Sequence, residues 1–563
     1  MALAGVSFLP VLGFGFVYDD ATQLVGNANV HTWRGLITAF SEHVWSFDPA
    51  KAARYYRPLF VSTLTLAWQA FGAQPSGYHA LSLALHLGCG ALVWRLGAAL
   101  DLPALARTAA TLIFLLHPVQ IQVVAWISAV SDPLLTCLAL TSALAWMRWL
   151  RDRDRRFLFA ALALYVASLL TLERAVALAG PLLLVGWHRL PARGVSPVGH
   201  RRLRPVAAQA LLLVGAVVGV LALRRIAIGP GVPTPDTWIQ DTVLTAPAAV
   251  LRYLRNFAWP RDLSLGYPVR FVATATAANF GWPLVAGAGA AALAYWLSRK
   301  HPRRRFLVSA GLLTLAPSLC VGLLPSQLLV QDRYCYLPLA FLALWLSDLA
   351  LRDAGAPATW PIRCGRVMLG VWFLAAFSQH ARALSPWRDN LALFGRAVEV
   401  APDSPPFLLD LALEEHGRGL PDHDCRRLRR AASVLHDYPR GGEAGMVYFE
   451  LGNCLRAHGR NDLALRAYDA SLRAPDGGTL QAGINRVSVL SELQRPDDAA
   501  GAAEELTRGH ATSPLAWRTL SVAAALRGDL ATAERAAQRA LALEPGDAAT
   551  IRLLERIRAS RTP

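Results

Sequence analysis

The stretch 131–148, SDPLLTCLALTSALAWMR, is followed at once by WLRDRDRR at 149–156. The first part is an apolar run with one acid at its opening, close to the ~20 residues a helix needs to cross ~30 Å of hydrocarbon. The second is a basic cluster of the kind that marks the cytoplasmic flank of a membrane span. Working outward, the same alternation recurs. Apolar runs at 2–17, 77–99, 104–119, 131–148, 157–171, 175–188, 206–223, 281–297, 306–324, 336–351 and 366–380 predict about eleven spans. The run Ala2 to Val17 lacks a basic n-region and a small-residue cleavage site, so it reads as a short first span and not as a signal peptide.

Composition agrees. The 563 residues are 54% hydrophobic and 17% charged, against roughly 45–50% and 25% in soluble domains. The bias is confined to the first part of the chain. Beyond about residue 380 comes a polar, Ala/Leu/Arg-rich stretch with no run able to span a bilayer. The expected organisation is a membrane domain at 1–385 and a second domain at 386–563.

The net charge of +17 invites a nucleic-acid reading, but the excess sits in clusters between apolar runs. Such clusters are topology signals facing anionic lipids, and no nucleic-acid partner is expected. Arg95/Arg107, Arg148–Arg156, Arg189–Arg204, Arg299–Arg305 and Arg352–Arg366 fall in alternate connections, while 120–130 has no Lys or Arg. The N-terminus is therefore expected in the cytoplasm, and an odd span count puts everything after about residue 381 outside. The seven cysteines show no metal-ligand spacing and establish no disulfide framework.

From about 445 the sequence repeats with a period of about 34 residues. Gly459 and Gly528 lie two periods apart, as do Ala464 and Ala533; Tyr468, Ala470 and Pro475 belong to the first unit and Ala540 and Pro545 to the third, with a degenerate unit between them (Asn485, Leu490, Pro496, Ala499, Pro514). Residues 389–440 read as further divergent units. Small residues that let paired helices approach, with Gly and Pro closing the turns, form the tetratricopeptide pattern. Such arrays bind protein surfaces. The fold class is all-α: a polytopic transmembrane bundle followed by a tetratricopeptide-repeat solenoid.

The predicted topology brings several ionisable residues to the outer face, where they are costly unless they line a cavity or carry function. Phe16-Val17-Tyr18-Asp19-Asp20 places two carboxylates directly after the first span. Either could remove a proton from an acceptor hydroxyl. Arg57, between aromatic residues and Pro58, suits a phosphate or snorkels to the interface. His117 closes the third span as a phosphate donor or a helix cap. Asp132 opens the fourth, where the helix dipole also favours an acid. Glu173 interrupts an apolar hairpin beside Arg174, and Arg333, in Asp332-Arg333-Tyr334, is the best phosphate ligand of its region. His79 and His86 share one face of the second span and read as packing residues, since no third metal ligand is evident. No Gly-rich nucleotide loop appears, which argues against an ATP-driven transporter.

In these residues the chain resembles the GT-C superfamily of polytopic glycosyltransferases. Within it, the likeness is to transmembrane, tetratricopeptide-repeat-containing protein O-mannosyltransferases and their bacterial relatives. It runs in one order through Phe16–Asp20 with Asn27, Tyr56-Arg57-Pro58-Leu59, Gly77–His86, His117-Pro118-Val119-Gln120 to Asp132, Glu173, Asp332–Pro338 and Trp387-Arg388-Asp389. The resemblance implies a polyprenyl-phosphate-linked hexose donor, mannose above all, and inverting transfer to Ser/Thr of secreted proteins at the outer face. It also implies a catalytic base in the acidic motif, with Asp19 and Asp20 both open as that base. The repeats would lie outside, near an acceptor polypeptide or partner. A glycan or lipid acceptor, or a non-catalytic envelope scaffold, are the alternatives. One departure stands out: the family's Lys before the acid of the 172–174 turn is Leu172 here. Some superfamily members use a divalent cation, which leaves that cofactor open. The Arg/Ala-rich usage suggests a high-GC bacterium, hence a bacterial plasma membrane and a decaprenyl- or undecaprenyl-like carrier.

Overall fold

Proline opens many of the helices. Pro58, Pro75, Pro302, Pro405, Pro496 and Pro514 all occupy the first turn, where their missing N–H has no intrahelical partner to lose. The computed structural model describes residues 1–48, 55–189, 203–230, 234–325, 328–351, 360–420, 423–438, 443–476 and 479–561. Among these there is no strand. The chain divides into two compact units, Met1–Val400 and Ala401–Pro563, and the helix Asn390–Val400 lies in the first.

Among the described residues of the first unit, six helices are long and apolar enough to cross a membrane: Pro75–Ala99, Ile127–Asp152, Val206–Ile228, Ala277–Ser298, Pro302–Leu323 and Asp332–Leu351. Ala104–Leu116 and Pro118–Ala125, bent by 52° at a break, make a seventh if counted as one. The bend falls at His117, whose extended backbone is what a following proline enforces. The count of about eleven also includes shorter apolar helices. Arg155–Thr171 has 17 residues and Ala179–Arg189 has 11; at about 1.5 Å per residue each falls short of ~30 Å. The first run is helical only over Ala2–Gly13. Two helices were not foreseen as elements. Pro58–Phe71 follows the predicted Arg57 motif, and Trp238–Ala258 carries too many polar residues to read as a span.

A continuous apolar core joins Pro75–Ala99, Ala104–Leu116, Ser131–Asp152 and Tyr336–Leu351, with Phe114, Trp146, Tyr165 and Phe341 fully buried. Val206–Ile228 and Ala277–Ser298, by contrast, leave most of their apolar side chains outside the protein, as lipid-facing helices do. Of the basic clusters, residues 190–202 and 352–359 lie outside the described residues. The cluster at 299–305 is more than a topology signal. Arg303 and Arg304 both pair with the fully buried Asp348, and Arg303 also donates to the carbonyls of Leu100 and Asp101.

The second unit stacks helix pairs: Pro405–Gly417 with Arg426–Val434, Ala444–Ala457 with Asn461–Leu472, Leu480–Glu492 with Pro496–Gly509, and Pro514–Arg527 with Leu530–Leu543. The degenerate unit is thus a complete helix pair. Gly452 faces Tyr468 so closely that a Cβ would come 2.5 Å from its ring, which is the close helix approach expected of small residues in such repeats. The Tyr468 hydroxyl donates to Asn453, which also accepts from Asn485 of the next pair. One sequence expectation is corrected here. Cys425 and Cys454, far apart in any spacing rule, form a disulfide, because packing Arg426–Val434 on Ala444–Ala457 brings them together.

Candidate active site

The turn at Tyr18 decides the geometry of the acidic motif. Its φ of 52° is left-handed, a conformation a bulky aromatic residue rarely adopts unless its surroundings enforce it. Here the Tyr18 N–H donates to Asn390 Oδ1 at 2.8 Å, and the neighbouring Gly15 N–H donates to the Arg388 carbonyl at 3.1 Å. The Trp387-Arg388-Asp389 junction therefore anchors the first loop. Beyond this turn the two carboxylates part.

Asp19 lines a cavity of about 600 Å³. Asp20 is fully buried and does not line it. Its Oδ1 accepts from the Ser128 N–H at 2.7 Å and the Ser128 hydroxyl at 2.6 Å, and its Oδ2 from the Val17 N–H at 3.1 Å. Burial pushes the Asp20 carboxyl up to about 7, against three donors that favour the anion.

The cavity gathers most of the predicted residues. Arg57, Glu173, Arg174 and Arg333 line it with Asp19, each from a different connection except the adjacent pair. Arg57 sits at the start of Pro58–Phe71, its guanidinium 4.4 Å above Tyr55. Its Nε reaches both Glu173 oxygens, at 3.0 and 2.9 Å. Arg174 pairs with buried Asp132 and lies 4.7 Å over the Tyr334 ring. Asp132 itself does not line the cavity; its contribution is to hold Arg174. Arg333 is different. It stacks 4.5 Å over Trp126 and donates to Gln331 Oε1 at 2.6 Å, and among the described residues it pairs with no carboxylate.

His117 is not brought to the cavity. It is buried, with Nδ1 accepting from the Val119 N–H at 3.3 Å and Nε2 donating to the Phe257 carbonyl at 3.0 Å. Both ring nitrogens are thereby committed to the backbone, and the ring lies against Phe257 and Trp372. Of the two readings of this residue, the structure has the helix cap. The neighbouring Asp332 is likewise structural, accepting from Asn256 at 2.8 Å and Tyr267 at 2.6 Å.

Other lining residues carry no site assignment from the sequence, and Arg224, Tyr18 and Trp126 are the most chemically telling of them. Arg224, at the end of Leu203–Ile228, also lines the site. The signal was present: Arg224-Arg225 lie at the outer end of a predicted span, against the positive-inside rule. Tyr18 and Trp126 form aromatic wall and gave no signal beyond their type. The three-ligand group of His, Cys, Asp or Glu close enough to hold an ion, among the described residues, is Cys425, Cys454 and His458 in the repeat unit. There the two cysteines are joined to each other.

Chemically, the chamber offers two carboxylates, Asp19 and the Arg57-paired Glu173, an aromatic wall and several guanidinium groups, a set suited to an anionic substrate with a hydroxyl partner. No family model matches the chain. Among curated proteins it is similar to protein O-mannosyl-transferases. Protein O-mannosyl-transferase Tmtc2 of Drosophila melanogaster is 32% identical over 263 residues, 45% of this chain and 27% of that protein. Tmtc1 of the same organism is 31% identical over 178 residues, 31% and 21% respectively. The chain thus spans about a quarter of the length of the curated relatives it matches. Among solved structures, YrrB, a TPR protein with an unusual peptide-binding site, aligns over 34% of this chain and 91% of its own, at 15% identity and a TM-score of 0.24.

Proposed function

We propose that the protein transfers a hexose, mannose by its relatives' names, from a polyprenyl-phosphate donor to Ser/Thr hydroxyls of exported proteins. The observation that carries this reading is the convergence of Asp19, Arg57, Glu173, Arg174 and Arg333 on one cavity in a chain whose other helices suit a bilayer.

Asp19 acts as the base. Its carboxylate takes the proton of the acceptor hydroxyl as that oxygen forms its bond to the anomeric carbon. The bond from that carbon to the donor phosphate oxygen breaks on the opposite face, so the configuration inverts. The polyprenyl phosphate leaves with the electron pair, and Arg333 holds the developing charge. Glu173 and Asp132 keep Arg57 and Arg174 oriented, and Tyr18 and Trp126 give the sugar an apolar face. Arg174 supplies the cation next to the acid at the turn where Leu172 stands for the family's lysine.

The transfer takes place on the outer side of a bacterial plasma membrane, with the N-terminus inside and the repeats outside to present the acceptor. The Cys425–Cys454 disulfide supports that side, because disulfides persist in oxidising compartments and are rare in the cytosol.

The test is transfer from radiolabelled polyprenyl-phosphate-mannose in membranes holding wild type or Asp19→Asn. Label entering protein with wild type alone supports the reading. Equal labelling by the two places the chemistry elsewhere, and label entering lipid or glycan instead of protein removes the protein acceptor.

A further inference from the structure

The helix Trp238–Ala258 is amphipathic in an inverted sense. Asp241, Thr245, Tyr253 and Asn256 are buried against the protein, while Ile239, Val243 and Leu251 are exposed. An apolar outward face suits lipid, and Trp259 and Trp282, both half or more exposed, are of the residue type that anchors at a bilayer interface.

Between this helix, the segment 268–274 and the opening turn of Ala277–Ser298 lies a second cavity of about 490 Å³. Arg252, Arg255 and Arg270 line it, and among the described residues no acid does. Arg252 is held 4.8 Å over the Tyr267 ring, and Arg255 keeps a 2.6 Å contact with Asp262 outside the lining. The remaining wall is largely apolar, with Leu251, Phe271 and Pro283 among its residues. The adjoining helix leaves Trp282, Leu284 and Val285 exposed. Three guanidinium groups in the lining of an apolar-walled hollow, at the end of a lipid-facing helix, match an anion that carries acyl chains. A soluble anion would have no use for the apolar flank.

We propose that this cavity holds the phosphodiester headgroup of an anionic membrane phospholipid, with the acyl chains along the exposed face of Ala277–Ser298. It is separate from the cavity that contains Asp19, and its occupant is a resident lipid and not the sugar donor.

The experiment uses the full chain in nanodiscs of equal phosphatidylglycerol and phosphatidylcholine, with retained lipid identified by native mass spectrometry. Wild type retains phosphatidylglycerol over phosphatidylcholine, and Arg255→Gln/Arg270→Gln lowers that preference by roughly 5-fold per guanidinium removed. Should the double variant fail to give monodisperse protein, Ala278→Phe, which fills the hollow with the charges kept, lowers retention likewise. Equal retention of the two lipids by wild type overturns the proposal. So does unchanged preference in the folded variants, and so does displacement of phosphatidylglycerol by millimolar inorganic phosphate, which would make this a soluble-anion site. Because the readout is lipid retention, it stands or fails apart from sugar transfer.

Discussion

Asp20 accepts two hydrogen bonds from one residue, the Ser128 N–H at 2.7 Å and the Ser128 hydroxyl at 2.6 Å. That pairing ties the loop after the first apolar helix to the turn before Ser131–Asp152 and leaves Asp19 alone to face the cavity. Adjacent carboxylates therefore differ in surroundings, one held by the backbone and Ser128 and the other open to the cavity, and under the proposed function only the second does chemistry.

The two acids should separate in mutagenesis. Asp19→Asn is expected to lower transfer by about 10²–10⁴-fold, the usual worth of a positioned base, with thermal stability near wild type. Asp20→Ala leaves buried donors on Val17 and Ser128 unpaired, at about 1–3 kcal/mol each, so folded yield and melting temperature fall instead. Transfer assays normalised to folded protein, beside thermal unfolding in detergent, check both. Loss of activity at unchanged stability in Asp20→Ala would reverse the assignment.

The raised Asp20 carboxyl makes stability depend on pH. Its folded value of about 7 lies above the 3.8 of an ordinary aspartate carboxyl, so between these the native state binds the extra proton. The stabilisation is complete below about 4 and is lost as pH rises through about 7. Unfolding temperature is expected to decline over that window and to level off above it, and Asp20→Asn should flatten this part of the profile. A profile that rises over the same range would contradict it.

Arg333 should matter most for the donor phosphate. Removing a charge-assisted contact of about 1.5–3 kcal/mol predicts a 10–100-fold loss in kcat/KM for Arg333→Ala. Arg333→Lys should recover little, since a point charge neither stacks on Trp126 nor offers a planar fork. Steady-state kinetics with varied polyprenyl-phosphate sugar distinguishes this from Arg57→Ala, which strands Glu173 in the cavity without its partner.

The Cys425–Cys454 bridge closes a loop with a sequence separation of 29. Cys425→Ser is expected to destabilise the repeat unit by about 3–4 kcal/mol on loop-closure grounds. In wild type, maleimide labelling of these two thiols should need prior reduction. Labelling without reductant, in protein taken directly from oxidising medium, would contradict the bridge.

Much of this was legible along the chain. Long apolar runs, basic clusters and the recurrence of Gly459/Gly528 and Ala464/Ala533 are local patterns, and local patterns survive without a structure. So were most of the charged cavity residues, because an ionisable group at a span's end is costly unless it lines a cavity or carries function. His117 looked the same in sequence as Arg57, yet its nitrogens are taken by Val119 and Phe257. The carbonyl that claims it belongs to Trp238–Ala258, a helix whose polar inner face hid it from a search for apolar runs.

The sequence by itself determined the helical character, the helices suited to a bilayer, the repeat array and the set of charged residues from which a site could be built. Hydrophobicity and period are properties of neighbours in the chain. Only the tertiary structure decided which carboxylate faces the cavity, which arginine has no acidic partner among the described residues and which cysteines meet. These depend on where side chains point after an irregular turn, such as the left-handed Tyr18, and on contacts between residues hundreds of positions apart. No local pattern encodes either; packing does.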